Sequence, residues 1–254
     1  MISNLLSSWL IFSNLALSDV TVKPELEWCL DDVPNRHHYP ATGQPYGPTV
    51  NFMQELATRS GFTLTFSPNT PFSRCLRMMQ QGKTDLMTGL NHSDERAGFM
   101  WLMPYDQARA EKLFLHRDTV DITSMSELSS KRIGLVRGYI YNTQLPSLLS
   151  QHGLSTVETD TLENGLQLLQ RQRIDALIAP ANTTEQLIAS DAQFQGKIIE
   201  ASLYFPFSEV RFVNIGLSRH SKHAHLAGQI NQQLALMAEQ GLLQRYYPLA
   251  LKQD

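Results

Sequence analysis

One arginine in this 254-residue chain stands where an anion would be bound. Arg96 follows Ser93-Asp94-Glu95, a run that reads as a helix start directly after a short apolar strand, Asp85–Leu90. In the first turn of a helix, backbone N–H groups and the dipole already favour negative charge. A guanidinium placed there can take a carboxylate with two parallel hydrogen bonds. The alternative is a surface arginine paired with Asp94 or Glu95. His220, His223 and His225 lie close together, but no cysteine accompanies them and their spacing fits no zinc pattern, so no metal is expected. Arg36-His37-His38 reads as a solvated loop that could lend positive potential to a neighbouring cleft. No nucleophile–base pair or nucleophile elbow is found, so no catalytic residue and no cofactor are assigned.

Cys29 and Cys75 are the only two cysteines, which excludes a multi-disulfide miniprotein and a Cys-rich zinc module. Whether they pair depends on the compartment. Met1 to Ser18 carries no Asp, Glu, Lys or Arg, and its apolar run Leu5–Phe12 is too short to span a bilayer. It ends in Ala16-Leu17-Ser18, a small-x-small pattern suited to signal peptidase. Residues 1–18 are therefore expected to be an export signal, with a buried N-terminal helix as the alternative. Glu27-Trp28 before Cys29 is too large and polar for a lipid-anchoring site, so the mature chain is expected free in an oxidising compartment. There the two cysteines can pair; two separate buried thiols remain the other possibility.

These residues must be positioned by a globular scaffold. Hydrophobic residues make up 42% and charged residues 18%, enough for one large or two small cores. The net charge of −3, without a basic run, gives no electrostatic case for nucleic acid. Along the chain, strands and helices alternate: Glu25–Leu30 as a strand, Val50–Arg59 as a helix ending at Gly61, Phe62–Phe66 as a strand, Ser73–Gln81 as a helix ending at Gly82. The unit then recurs. Met78-Met79-Gln80-Gln81-Gly82-Lys83-Thr84-Asp85-Leu86-Met87 is matched by Leu168-Leu169-Gln170-Arg171-Gln172-Arg173-Ile174-Asp175-Ala176-Leu177. The second helix is expected to start at Asp160, with Glu163 completing a capping box. Strands at Arg109–Leu115 and Val210–Leu217 flank this second unit, and the tail is helical, with Leu226, Ile230, Leu234 and Met237 on one face. Such units imply an α/β fold of two lobes, each a mostly parallel sheet flanked by helices. The expected division is 19–108 and 209–254 for the first lobe and 109–208 for the second. Two hinge crossings would then leave a cleft between the lobes as the ligand site.

From about Val22 to Tyr247 the sequence resembles the family 3 extracellular solute-binding proteins. The resemblance is carried by Gly47-Pro48-Thr49-Val50-Asn51-Phe52-Met53, Gly82-Lys83-Thr84-Asp85-Leu86-Met87, Ser93-Asp94-Glu95-Arg96, Lys131-Arg132-Ile133-Gly134-Leu135-Val136-Arg137-Gly138, Arg173-Ile174-Asp175-Ala176, Asn214-Ile215-Gly216-Leu217-Ser218 and Gly241-Leu242-Leu243. It implies a type II periplasmic-binding-protein fold. Such a protein closes on a small carboxylate-bearing solute, an amino acid or related acid, and delivers it to an ABC importer as a soluble periplasmic monomer. A periplasmic sensor without a transporter and a dehydratase-like enzyme are the competing uses of that scaffold.

The resemblance also assigns residues. It makes Arg96 the holder of the ligand's α-carboxylate, and Thr88, Gly89 and Asn91 donors of backbone and side-chain groups. Phe72 becomes the aromatic wall, with Tyr39 or Tyr46 as the opposite wall. Gly138 is expected to open a helix and offer its N–H to the carboxylate, although Tyr139-Ile140-Tyr141 replaces the smaller residues common there. Pro180 stands where amino-acid binders place an Asp for the α-ammonium, and proline has neither charge nor N–H. Two expectations follow: the ligand lacks an α-ammonium, or that group is met from the first lobe by Asp32.

Overall fold

The computed structural model describes residues 22–33, 36–141, 145–205 and 210–247. The expected export signal and its cleavage point at Asp19 lie outside the described residues. Two five-stranded sheets form the frame. The first contains β1 (Glu25–Trp28), β2 (Thr63–Phe66), β3 (Leu86–Asn91), β4 (Met100–Gln107) and β10 (Phe212–Ser218), in the order β2-β1-β3-β10-β4. The second contains β5 (Glu111–His116), β6 (Arg132–Val136), β7 (Ser155–Thr159), β8 (Ala176–Pro180) and β9 (Ile198–Phe205), in the order β7-β6-β8-β5-β9. In each sheet a single strand runs against the rest: β10 is antiparallel to β3 and β4, and β5 to β8 and β9. These two are the strands that follow the crossings between lobes. The crossings are themselves joined, since the Ala108 N–H donates to the Arg211 carbonyl at 2.9 Å.

Helices cover the sheets where apolar side chains recur with helical period. In the first lobe α1 (Pro48–Arg59) turns Phe52, Met53 and Leu56 onto β1 and β10. On the same core, α7 (Ala227–Glu239) adds Ile230, Leu234 and Met237. The other side is closed by α2 (Phe72–Gln80), whose Cys75 and Met79 pack with Met87, Leu90 and Met100. In the second lobe both sheet faces are buried, so its central strands read as unbroken apolar runs rather than alternating ones. Leu113, Leu115, Ala176 and Ile178 face one core; Phe114, Leu177 and Ala179 face the other, beneath α5 (Leu162–Gln170) and α6 (Ala181–Ser190). The remaining helices are α3 (Asp94–Phe99), α4 (Leu145–Gln151) and α8 (Leu242–Tyr246). No described helix is long and apolar enough to cross a membrane.

Two local expectations are corrected. α5 is capped by Thr161, whose side chain accepts the Asn164 N–H at 3.1 Å. Asp160 instead reaches the Arg137 guanidinium at 2.5 Å, which removes it from the capping position and dissolves the box with Glu163. Gly138 does not open a helix: it lies in the turn after β6 with φ +82°, and the next described helix begins at Leu145.

Candidate functional site

The two cysteines are joined, with Cα atoms 5.6 Å apart. The bridge ties the end of β1 to the first turns of α2, and both cysteines form part of the wall of a cleft of about 150 Å³. A second wall comes from β3. Between Asn214 and Gly216 of β10, β3 advances three residues, Leu90 to Met87, so one extra residue is bulged at Thr88-Gly89. Gly89 takes φ +75° there, a conformation that favours glycine. The bulge re-aims the end of β3, and Thr88, Gly89 and Asn91 all line the cleft.

Arg96 enters from α3. Ser93 caps that helix by accepting the Arg96 N–H at 3.2 Å, which orients the first turn. Arg96 as a whole is only 4% exposed. It donates from Nη1 to the Asn91 carbonyl at 2.8 Å and from Nη2 to the Gly138 carbonyl across the cleft, and it lies 5.7 Å from the centre of the Phe72 ring. Burial pushes its pKa down to about 10, against a smaller upward pull from Glu95, so it stays cationic at neutral pH. Among the described residues no carboxylate is at ion-pair distance from it. A buried cation held only by carbonyls is costly unless an anion completes it.

The opposite side is built from the β6–α4 connection. Tyr139 meets Phe72 edge-on at 5.2 Å, and the Asn91 side chain donates to the Ile140 carbonyl at 2.6 Å. Burial raises the Tyr139 phenol above its ordinary value, so it faces the cleft uncharged.

Seven residues expected at the site therefore line one cleft: Phe72, Thr88, Gly89, Asn91, Arg96, Tyr139 and Pro180. Gly138 contributes a carbonyl to Arg96 rather than an N–H to an anion. Three others are placed elsewhere. Tyr39 donates its hydroxyl to the Ser67 carbonyl and packs on the first-lobe core. Tyr46 is exposed and stands edge-on to His38 at 5.0 Å. Asp32 turns back into its loop, accepting the Tyr39 N–H at 2.7 Å and pairing with His38 at 2.9 Å.

The cleft also holds groups that sequence reasoning missed. Asp31, and not Asp32, lines the cleft, with His37 3.7 Å away. His37 is 7% exposed and stands edge-on to Trp28, so this part of the loop is wall and not solvated surface. Arg36 reaches Asp106 at 3.7 Å and covers the Tyr247 ring at 4.8 Å. Arg109 and Glu111 come from the crossing and the start of β5, and Glu111 is 2% exposed. The available signal for Glu111 was a lone acid opening the apolar strand Leu113-Phe114-Leu115. Among the described residues no three His, Cys, Asp or Glu side chains gather as a metal site.

A two-lobed frame with a buried arginine in the cleft matches a known family. The model of the bacterial extracellular solute-binding proteins, family 3, matches residues 28–248. The chain belongs to that family. An ancestral arginine-binding protein bound to arginine superposes with a TM-score of 0.75 at 18% identity, covering 89% of this chain and 97% of the other. The amino-acid ABC transporter substrate-binding protein AbpA of Streptococcus pneumoniae, bound to L-arginine, gives 0.74 at 23% identity, with 87% and 92% covered. A histidine kinase sensor domain with similarity to periplasmic binding proteins gives 0.74 at 18% identity, with 91% and 96% covered. At these identities the likeness is one of fold. No curated protein matches the sequence. Solute binding is thus the family's role, and its members act outside the cytoplasm.

Proposed function

We propose that this protein is a non-catalytic binding protein that closes its two lobes on a small carboxylate-bearing solute and passes it to an ABC importer. The observation that carries this reading is Arg96: a residue 4% exposed whose guanidinium lies in the cleft and donates to one carbonyl from each lobe. A carboxylate entering the cleft would replace those neutral acceptors with a charge-assisted, two-point contact. Because Asn91 and Arg96 belong to the first lobe and Gly138 and Ile140 to the second, the group that binds the anion also reports closure. The neighbours that hold arginine support an amino acid as the solute. On this reading the chain is exported, unanchored and monomeric, and no residue of the cleft serves as catalyst.

A thermal-shift screen with amino acids, short peptides and small carboxylates tests the proposal. A ligand at 100 times its Kd stabilises by about 2.7 kcal/mol, which moves the melting temperature by several degrees. Stabilisation by at least one carboxylate, lost in the corresponding amide, is the expected result. Turnover of a bound acid without release would overturn the non-catalytic reading. The sensor domain among the neighbours supports a second use of the same site, signalling without transport. Uptake of the identified ligand by cells lacking the protein separates the two: importer function requires uptake to fall.

A further inference from the structure

The two lobes repeat one helix–turn–strand unit, yet the outer faces of the two helices differ in charge. On α2, Arg74 and Arg77 lie three residues apart, away from the buried Cys75 and Met79, and the turn that follows adds Lys83. No Asp or Glu occurs between Pro71 and Thr84. The matching helix α5 is mixed: Glu163 lies in its first turn, and the Arg132–Asp175 pair stands beside the turn that ends it. A second segment extends the first-lobe face. Ser218 donates its hydroxyl to the Met79 carbonyl at 2.7 Å, and a Cβ on Gly82 would stand 2.8 Å from the His220 Cβ. The turn after β10, which carries Lys222, therefore packs directly on the turn after α2. Asp85, the acid at this junction, is engaged by the Glu27 N–H at 2.8 Å and by the Ser221 hydroxyl. Arg74, Arg77, Lys83 and Lys222 are all exposed, and among the described residues none of these side chains has a hydrogen bond or an ion pair. We infer that this basic face of the first lobe adsorbs reversibly on a membrane surface bearing anionic phospholipid, through the phosphate charge of the headgroups and without insertion. The inference does not depend on the identity of the solute.

The character of the face selects the partner. A site for one small anion holds its cations in place by burial and hydrogen bonds; these four are exposed and unconstrained, and the groove between Arg74, Arg77 and Lys83 is shallow surface. A specific protein interface is anchored by aromatic or apolar side chains at its centre. None of the large exposed apolar side chains belongs to α2, to the turn at 81–83 or to the turn at 219–222. Trp101 is 42% exposed nearby, but its ring is covered by Arg219 at 3.6 Å, and that guanidinium also donates to the Ala97 carbonyl at 2.9 Å, so neither joins the face. Spread, mobile cations without an apolar anchor suit a plane of many phosphates. The chain's net charge of −3 does not oppose this, because charges are screened beyond about 8 Å at physiological ionic strength and only the side turned to the bilayer counts.

The test is sedimentation of the protein with vesicles of phosphatidylcholine alone and of phosphatidylcholine mixed with an equal part of phosphatidylglycerol. Binding is expected only to the mixed vesicles and should fall steeply as sodium chloride is raised. Inorganic phosphate at matched ionic strength should release the protein no better than chloride, since no single-anion site is involved. Each cation removed is expected to weaken binding about five-fold, so the Arg74→Gln/Arg77→Gln pair loses about 25-fold and Lys83→Gln or Lys222→Gln about five-fold. All four positions are exposed, so these variants should melt as wild type does. Arg171→Gln/Arg173→Gln removes the same charge from the matching turn of the second lobe and should bind vesicles as wild type does. No binding to the mixed vesicles, equal binding to both kinds, or equal loss in the two double variants would overturn the inference. Capture by immobilised polyglutamate without capture by vesicles would also overturn it and assign the face to an acidic protein.

Discussion

Asp175 and Arg132 are joined by four hydrogen bonds: the Asp175 carboxylate accepts the Arg132 backbone N–H at 2.7 Å, its Nε–H at 3.1 Å and its Nη2–H at 3.2 Å, and the Asp175 N–H donates to the Arg132 carbonyl at 2.9 Å. Asp85 does the same to Glu27 in the first lobe, accepting its N–H at 2.8 Å and donating to its carbonyl at 3.0 Å. The repeated Asp thus locks a strand to its parallel neighbour at the entry to each sheet, far from ligand chemistry. Asp175→Ala is expected to destabilise the protein by about 1–2 kcal/mol, the range for a partly exposed charge-assisted pair. Hydrogen bonds from Arg132 hold the Asp175 carboxyl below its ordinary value, with burial opposing. A depressed native value means the contribution is present above the unfolded carboxyl pKa of about 3.9 and fades as pH falls below it. The gap between the urea midpoints of wild type and variant should therefore stay constant from pH 7 to about pH 5 and narrow as pH falls below about 4. A gap that does not narrow there would show that the carboxylate charge does no stabilising.

The disulfide closes a sequence separation of 46 residues. On the chain-entropy model such a loop contributes about 4 kcal/mol, less wherever the unfolded chain retains structure. Because Cys29 and Cys75 are also cleft wall, the bond holds α2, and with it Phe72, against the end of β1. The Cys29→Ser/Cys75→Ser double variant is expected to melt well below wild type and to bind its solute more weakly. Thiol titration of denatured, unreduced protein should find no free thiol. Two free thiols, or a variant as stable as wild type, would contradict the assignment.

Periodicity made the frame legible, and it did so because both lobes obey simple burial rules. The apolar spacing in Val50–Arg59 and the tail helix is the spacing that packs in the first-lobe core. Of the strands the sequence did not announce, β4, β7 and β9 are sheet edges with one exposed face, where polar residues interrupt the pattern, and interior β6 is short, with the segment Lys131–Gly138 marked only by its family resemblance. Arg96 was legible because its capping serine and preceding strand are local. The walls drawn from the loop after β1 were not. Asp31 and Asp32 are adjacent, and which one turns inward is decided by where Asp32 finds partners, the Tyr39 N–H and His38. Glu111 was hidden for a different reason: it joins the cleft beside Pro180, 69 residues later in sequence and opposite it only in the folded sheet.

Arg96→Ala should leave the fold intact and abolish solute binding. Removing one partner of a desolvated, hydrogen-bonded charge pair costs about 2–5 kcal/mol, or roughly 30-fold or more in affinity. Arg96→Lys keeps the charge but not the planar fork that reaches Asn91 and Gly138 together, so it is expected to recover only part of the loss. Calorimetry on the three proteins reads both effects. A well-folded Arg96→Ala protein with wild-type affinity would place the carboxylate elsewhere in the cleft.

Gly89 and Gly138 form a matched pair that separates backbone strain from lobe contact. Both take positive φ, +75° and +82°, so alanine at either costs about 1–2 kcal/mol of left-handed strain. Their surroundings differ. A Cβ at Gly89 would meet nothing within 4 Å, whereas one at Gly138 would stand 3.2 Å from Leu76 and 3.5 Å from Phe72, both on the first lobe. Gly138→Ala therefore adds a wedge where the two lobes touch, beside the carbonyl that Arg96 binds. Both variants should melt at similarly lowered temperatures, since the shared strain acts on the native fold. Only Gly138→Ala should open the cleft, and small-angle scattering of the unliganded proteins should show it as a larger radius of gyration. Equal radii in the two variants would mean that the turn after β6 does not control closure.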